Sequence, residues 1–396
     1  MLIGLAYLGF VSLGLPDGLN GVAWPSIRAY FHLPLDALGS LLLMFTIGYL
    51  VSSFSSGRLL ARIRVGTLLG VSCLATSVSL LGYALVPAWW MMVTLGTIAG
   101  LGAGAIDAGL NTFAATQFSS RTLNWLHASW GIGAATGPLI MTRILATHYP
   151  WQRGYAIVGV WQLLLAIGFA LTRNLWPDRP VVSVKLVTAS NVGTLRLPIM
   201  WLSVFVFFIY TGVEMAAGVW VYSLFTDARA ITMMTAGIWV SVYWACLFIG
   251  RILAGFVTGF VPARLLLRFC IAGIAVGAAM IWLNITDLLS FLGLGLMGLA
   301  SAPVFPTLIA TTPMRIGEAH TANAVGFQIA AAVLGQAVLP TLIGVIARRL
   351  GLEVIGPSLF IAALVLLGLY EALSTMNFLG PSSEKAIGQE VMTECP

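Results

Sequence analysis

The sequence predicts an all-α membrane protein with twelve transmembrane helices in two pseudo-symmetric six-helix halves. The first observation is the composition: of 396 residues, 59% are hydrophobic and 8% are charged, and the mean hydropathy is +0.99. A soluble domain carries about 25% charged residues. The second is a series of apolar segments of about 20 residues, the length that crosses a bilayer as a helix. The third is a repeat at half the chain length, which predicts two halves of one design.

The apolar segments set the predicted domain boundaries. We expect a six-helix bundle at 1–173, a cytoplasmic linker at 174–195, a second six-helix bundle at 196–380 and a short cytoplasmic tail at 381–396. The linker is the longest polar stretch. The predicted segments are 3–29, 37–57, 66–86, 90–117, 123–147, 153–173, 197–225, 232–255, 263–283, 288–311, 320–347 and 355–378.

Four sequence matches carry the internal repeat. In the first match, Asp17 is followed after three residues by a Gly-Val pair and then, one residue later, by Trp24. Glu214 is likewise followed after three residues by a Gly-Val pair, and Trp220 comes directly after it. The other three matches pair 57–61 with 250–254, 111–116 with 306–311, and 133–138 with 335–340. Their shared order and similar offsets indicate a duplication.

Basic residues predict the orientation. With the N-terminus in the cytoplasm, 13 Lys and Arg residues fall on the cytoplasmic side and 6 on the other, so both termini are expected inside. The net charge of +6 lies in short gaps between apolar runs and therefore indicates topology and no nucleic-acid partner. We expect a multi-pass protein of the bacterial inner membrane, a monomer surrounded by lipid.

Three stretches resemble a known family over nearly the full chain: the loop 57–64, the helix-four run 100–111 and the helix-five run 123–131. The loop is similar to the signature of the major facilitator superfamily, although Ala61 replaces its usual acidic residue. Together with Asp17 and Trp24-Pro25, the two runs resemble the fucose permease-like branch, which includes fucose:proton symporters. The resemblance implies alternating access around a midplane cavity lined by helices one, four, five, seven, ten and eleven.

Three deep carboxyl groups are the proton-coupling candidates: Asp17, Asp107 and Glu214. A charge at the bilayer centre costs about 2.5–3.5 kcal/mol, so such residues are usually functional. Burial favours the protonated form of a carboxyl group, which suits a proton carrier. The family resemblance implies a coupling role for Asp17 and a substrate role for Asp107. Structural hydrogen bonding is the alternative for all three, and Arg251, near a helix end, is expected to extend to the membrane surface.

The substrate-binding candidates are polar and aromatic. Asp107 and Asn111 share one helix face because they are four residues apart. His127 and Trp130 stand where the fucose permease pattern tends to have amide sugar contacts. The predicted substrate-binding residues are Asp107, Asn111, Asn124, His127, Trp130, Trp24, Trp220, Gln328 and Asn323. Packing within the protein is the alternative, particularly for the tryptophans and Gln328.

The expected function is proton-coupled movement of a small polar solute, namely a sugar or related carbohydrate, by alternating access. The alternatives are a proton-antiporting exporter of drugs or amphipathic metabolites, a uniporter without proton coupling, and a non-transporting sensor. No enzyme signature, metal-ligand spacing or Walker motif occurs, so we expect no catalytic activity, metal or other cofactor.

Overall fold

Long α-helices make up nearly all of the computed structural model, which describes residues 1–117, 120–176, 189–257 and 260–376. The side chains of 115–116 and 120–124 are outside what it describes. Helices satisfy their backbone hydrogen bonds internally, as the bilayer interior requires. The long helices are α1 (Leu2–Phe31), α2 (Leu38–Leu60), α3 (Val65–Tyr83), α4 (Trp89–Gln117), α5 (Ser120–Ala146), α6 (Gln152–Thr172), α7 (Pro198–Ser223), α8 (Met233–Val257), α9 (Ala263–Leu283), α10 (Asp287–Ser301, resuming as Val304–Ala310), α11 (Glu318–Leu350) and α12 (Ile355–Thr375).

Eleven helical segments of the described chain are long and apolar enough to cross a membrane. The remaining long helix, α5, has 27 residues, is more polar and packs along α1 and α8. The all-α prediction of twelve transmembrane helices is confirmed. The predicted segment 288–311 differs in one respect, because its helix is interrupted between Ser301 and Val304. Pro303 lies in this interruption, and a proline has no backbone N–H to continue the helix.

Helices of the same half pack in corresponding ways. In the first half, α1 packs on α5, α2 on α4, and α3 on both α4 and α6. In the second, α7 packs on α11, α8 on α10, and α9 on both α10 and α12. The halves meet where α5 contacts α8, α2 contacts α11, and α1 contacts α7. Linker residues 177–188 and the predicted tail at 381–396 lie outside the described residues.

Glycines in the repeated segments bring the helices close together. A Cβ at Gly133 of α5 would lie 1.9 Å from the carbonyl oxygen of Val11 in α1. At the matching position of the other half, a Cβ at Gly335 of α11 would lie 2.0 Å from the carbonyl oxygen of Phe208 in α7. Small residues allow such close backbone approach in membrane helices. The repeat therefore preserves the same helix crossing in each half.

Replacing Gly133 with alanine is expected to destabilise the protein by about 1–3 kcal/mol, because the added methyl group overlaps the Val11 carbonyl. The check is thermal unfolding of the purified protein. Gly326→Ala is the matched control, since Gly326 lies in α11 and a methyl group added there would have no neighbouring atom within 4 Å. There the better helix propensity of alanine should leave the stability unchanged or raised. Equal effects of the two substitutions would contradict the crossing argument.

Candidate transport cavity

A cavity of about 1430 Å³ lies between the two halves. Its lining comes from α1 to α5 and Gln162 of α6 on one side, and from α7, α8, α10 and α11 on the other, with Ala263 at the start of α9 also contributing. The lining reaches Trp125 near the start of α5 and Phe256 near the end of α8. Both positions belong to the face of the protein that holds the chain's N-terminus and the start of α7. The cavity therefore extends toward that face, which we call the termini face.

The halves are in contact at the opposite face. Arg348 at the end of α11 forms an ion pair with Asp36, just before α2, at 3.2 Å. A Cβ at Gly39 of α2 would lie 2.4 Å from the side chain of Thr341 in α11. These contacts close the cavity on the side away from the termini face.

Asp17 lies on the α1 wall of the cavity and is half-buried. The indole N–H of Trp130 in α5 donates a hydrogen bond to its Oδ2 at 3.2 Å. Pro16, directly before it, has no backbone N–H to donate to the carbonyl of Ser12 four residues earlier. The side-chain amide of Gln162 donates to that carbonyl instead, at 3.1 Å. The hydrogen bond between Gln162 and the freed Ser12 carbonyl thus joins α1 to α6 near the Asp17 carboxyl group.

Asp107 in α4 is held by neighbours from two helices. The hydroxyl of Tyr49 in α2 donates to its Oδ2 at 2.7 Å, and the amide of Asn111 donates to its Oδ1 at 3.0 Å. Asp107 also interacts electrostatically with His127 of α5, which is exposed to the cavity. The ring of His127 packs edge-on against Phe10, with the ring centroids 5.0 Å apart. These groups form a polar cluster on the wall of the first half.

Glu214 in α7 is buried on the wall of the second half. Its Oε2 accepts a hydrogen bond from the hydroxyl of Tyr210, one turn earlier in the same helix. Its Oε1 lies 4.0 Å from the guanidinium of Arg251 in α8. The expectation that Arg251 extends to the membrane surface is therefore wrong. Tertiary packing turns this residue inward, which helix depth alone does not reveal.

Arg251 and Trp130 connect the carboxyl groups of the two halves. The guanidinium carbon of Arg251 lies 5.2 Å from the centroid of the Trp130 ring, in a cation–π arrangement. Trp130 donates to Asp17, and Arg251 faces Glu214. A line of contacts therefore runs from Asp17 in α1 to Glu214 in α7 across the cavity. Among the described residues, no group of three or more His, Cys, Asp or Glu side chains could hold a metal ion.

Sequence comparison agrees with this architecture, because the Major Facilitator Superfamily profile matches residues 6–286. The chain belongs to the Major Facilitator Superfamily. The glucose/mannose transporter GlcP of Bacillus subtilis (strain 168) is 23% identical over 351 residues, which cover 85% of this chain and 86% of that protein. As a superfamily member, the chain is an integral, multi-pass membrane protein.

Solved superfamily structures share the fold. The D-xylose-proton symporter superposes with a TM-score of 0.75 at 14% identity, covering 92% of this chain and 96% of its own. The transporter FucP in its outward conformation superposes with a TM-score of 0.63 at 16% identity, covering 95% of this chain and 99% of FucP. A mutant of the nucleoside transporter NupG superposes with a TM-score of 0.77 at 12% identity, covering 93% of this chain and 98% of NupG. At these identities, the likeness shows the fold alone.

Several residues predicted to bind substrate do not line the cavity between the two halves. The indole N–H groups of Trp24 and Trp220 donate to the carbonyls of Leu35 and Pro340, at 3.1 and 2.8 Å, and both side chains are fully buried. Both therefore pack within the helix bundle.

Two predicted amides also make contacts away from the cavity, and a third is not described. The amide of Gln328 donates to Ser203 at 2.6 Å, and that of Asn323 donates to the carbonyl of Ala189 in the linker at 2.7 Å. Neither residue lines the cavity. The side chain of Asn124 lies outside the described residues. The structure does bring Asp17, Asp107, Glu214, Asn111, His127 and Trp130 to one cavity.

The cavity also has polar lining residues outside the set predicted from the sequence. Asn20, Tyr49, Gln162 and Gln336 all line it, as does Arg251. The sequence could have indicated Asn20, because it follows Asp17 by three residues and so shares its helix face. The other four are single polar residues in apolar helices, a weaker signal.

We expect cysteines at positions 39 and 341 to form a disulfide that joins the two halves. The Cβ position at Gly39 lies 3.0 Å from the Cβ of Thr341, close enough for a bond that spans about 3.5–4.5 Å after a small adjustment. The measurement uses Gly39→Cys/Thr341→Cys in a background without native cysteines and with a protease site at 177–188. After oxidation and cleavage, the halves should migrate together on a non-reducing gel.

The matched control is Gly57→Cys/Gly326→Cys, which places cysteines on the same two helices toward the termini face. No atom lies within 4 Å of a Cβ at either position. The control should give separated halves. Efficient cross-linking of the control pair but not of the 39/341 pair would reverse the assignment of the open and closed faces.

Proposed function

We propose that this protein is a secondary active transporter that moves a sugar or related small polar solute by alternating access, coupled to protons. The observation that carries the proposal is the inter-half cavity, which is closed at one face and has carboxyl groups on both walls. Two similar proteins carry sugars in their names: the glucose/mannose transporter GlcP and the D-xylose-proton symporter. The wall chemistry supports a solute of the same class.

The lining suits a polyhydroxylated solute. Asp107, Asn111 and His127 offer hydrogen-bond acceptors and donors on one wall, and the side-chain oxygen of Gln162 has no hydrogen-bond partner among the described residues. The half-buried indole of Trp130 offers an aromatic face in the same cavity. Aromatic faces and a few placed polar groups are typical of small-molecule sites. We assign Asp107, Asn111, His127 and Trp130 to substrate binding, with Gln162 and Gln336 as additions.

The proton-coupling proposal rests on the setting of the carboxyl groups. Among the described residues, neither Asp17 nor Asp107 forms a salt bridge, and Glu214 has only the long contact to Arg251. Burial without a close counter-charge favours the neutral, protonated carboxyl group. Asp17, Asp107 and Glu214 are therefore our proton-coupling residues.

We place the protein in a bacterial inner membrane as a monomer, with both termini in the cytoplasm. The excess of Lys and Arg on the termini face supports this orientation. The termini face then faces the cytoplasm, and the structure corresponds to the inward-open state of the transport cycle. The Asp36–Arg348 ion pair would close the external side in that state.

Replacing Asp17 with asparagine is expected to abolish accumulation driven by a pH gradient, because the amide cannot carry the proton. Solute exchange without a gradient should persist. The substrate is first identified by a thermal-shift screen of sugars, nucleosides and organic acids, since a ligand of the native state raises apparent stability. Uptake of the hit into proteoliposomes is then measured with and without the gradient.

Asp287→Asn is the control, because Asp287 is exposed in the first turn of α10 and lies outside the cavity lining. It should leave both modes of transport unchanged. Gradient-driven accumulation by the Asp17→Asn protein would remove Asp17 from coupling. Efflux of hydrophobic dyes without sugar binding would replace the proposed function with drug export.

A further inference from the structure

We propose that Tyr210 senses the protonation state of Glu214 and transmits it to the interruption of α10 at Ser301. This inference rests on the proposed exchange of a proton at Glu214. Tyr210 is the positioning residue in this proposal, and the interrupted part of α10 is the element that responds to the protonation of Glu214.

The first step is a count of hydrogen-bond donors around Tyr210. Its hydroxyl oxygen contacts the carboxyl group of Glu214 and lies 2.9 Å from the backbone carbonyl oxygen of Ser301. A tyrosine hydroxyl has one proton, while an ionised carboxylate and a carbonyl can only accept. With Glu214 ionised, Tyr210 can therefore donate its one proton to only one of its two neighbours, and the other loses the Tyr210 hydrogen bond.

Protonation of Glu214 removes this conflict. The carboxyl O–H then donates to the Tyr210 hydroxyl oxygen, and Tyr210 donates to the Ser301 carbonyl. All three groups are satisfied in a chain that links α7 to α10. Because unsatisfied buried polar groups are costly, the two protonation states favour different partners for Tyr210.

The second step is the position of Ser301. It is the last residue of the first part of α10, and the helix resumes at Val304. Pro303 and Pro306 supply no backbone N–H, so the carbonyls of Leu299 and Ala302 lack their usual helical donors. This part of α10 has fewer internal hydrogen bonds than a regular helix, and the Tyr210 contact is an external restraint on it.

The restrained part of α10 belongs to the cavity wall. Phe305, Pro306 and Thr307, directly after the interruption, line the cavity. Loss of the Tyr210–Ser301 hydrogen bond would therefore loosen a segment of the cavity wall.

The third step is the surroundings of Glu214. From α8, Arg251 faces the carboxyl group at 4.0 Å, and the Tyr243 hydroxyl donates to the backbone carbonyl of Glu214 at 2.8 Å. From α1, Asp17 interacts with it electrostatically. Arg251 is the nearby cation, and its Nε has no hydrogen-bond partner among the described residues. Ionised Glu214 is thus stabilised by Arg251 and by Tyr210, at the expense of Ser301.

The test is hydrogen–deuterium exchange of the amides from Val304 to Ala310, corrected for the intrinsic effect of pH. The purified protein is measured without solute or gradient, at acidic and at mildly alkaline pH. In the wild type, exchange should be about fivefold faster at alkaline pH, the size of one lost hydrogen bond. Tyr210→Phe removes the donor, so exchange should be fast at both pH values.

Two further variants complete the test. Glu214→Gln keeps a neutral donor beside Tyr210, so exchange should be slow at both pH values. Tyr243→Phe is the matched control, because its hydroxyl contacts the same residue through the backbone, and the wild-type response should remain. An unchanged pH response in Tyr210→Phe, or a loss of the response in Tyr243→Phe equal to that in Tyr210→Phe, would overturn the proposal.

The readout needs no transported solute, so it is independent of the proposed function. If hydrogen–deuterium exchange follows the expected pattern but proton-driven uptake is absent, proton coupling is refuted and the proposed role of Tyr210 stands. Should Tyr210→Phe fail to fold, the Glu214→Gln result decides: a wild-type pH response in that variant refutes the proposal.

Discussion

The cost of placing a carboxyl group inside a membrane is the constraint on which the rest of this structure depends. Asp17 in α1 and Glu214 in α7 stand at matching positions of the two halves, on helices that contact each other. Lipid cannot solvate them, so each must face a polar cavity or a hydrogen-bonding neighbour. The structure provides both, and the cavity between the halves is where the two requirements meet.

The duplicated architecture gives the two carboxyl groups different environments. Gly133 and Gly335 maintain equivalent helix crossings, so the backbones correspond. The partners differ, because Asp17 accepts from Trp130 of another helix, whereas Glu214 accepts from Tyr210 of its own. The packing of the two halves is therefore symmetric, whereas the side chains that contact the two carboxyl groups are not.

Prolines give the helices points at which backbone groups become available to other helices. Pro16 frees the Ser12 carbonyl, which the Gln162 amide occupies. Pro303 lies in the interruption of α10, next to the Ser301 carbonyl that Tyr210 contacts. In each half, the local change lies beside a carboxyl group of the cavity wall. Backbone irregularity at membrane depth is tolerated where it is buried in protein or lines a cavity.

Length and hydropathy were sufficient to predict the helix count, the two-fold repeat and the positions of Asp17, Asp107 and Glu214 along their helices. Sequence motifs were sufficient to identify the family. The partners of each carboxyl group emerged from the packing of the helices, which turns Arg251 toward Glu214 and buries Trp220 against the Pro340 carbonyl. Sequence cannot supply these partners because the direction in which a side chain faces depends on helix rotation and on contacts with helices distant in the chain.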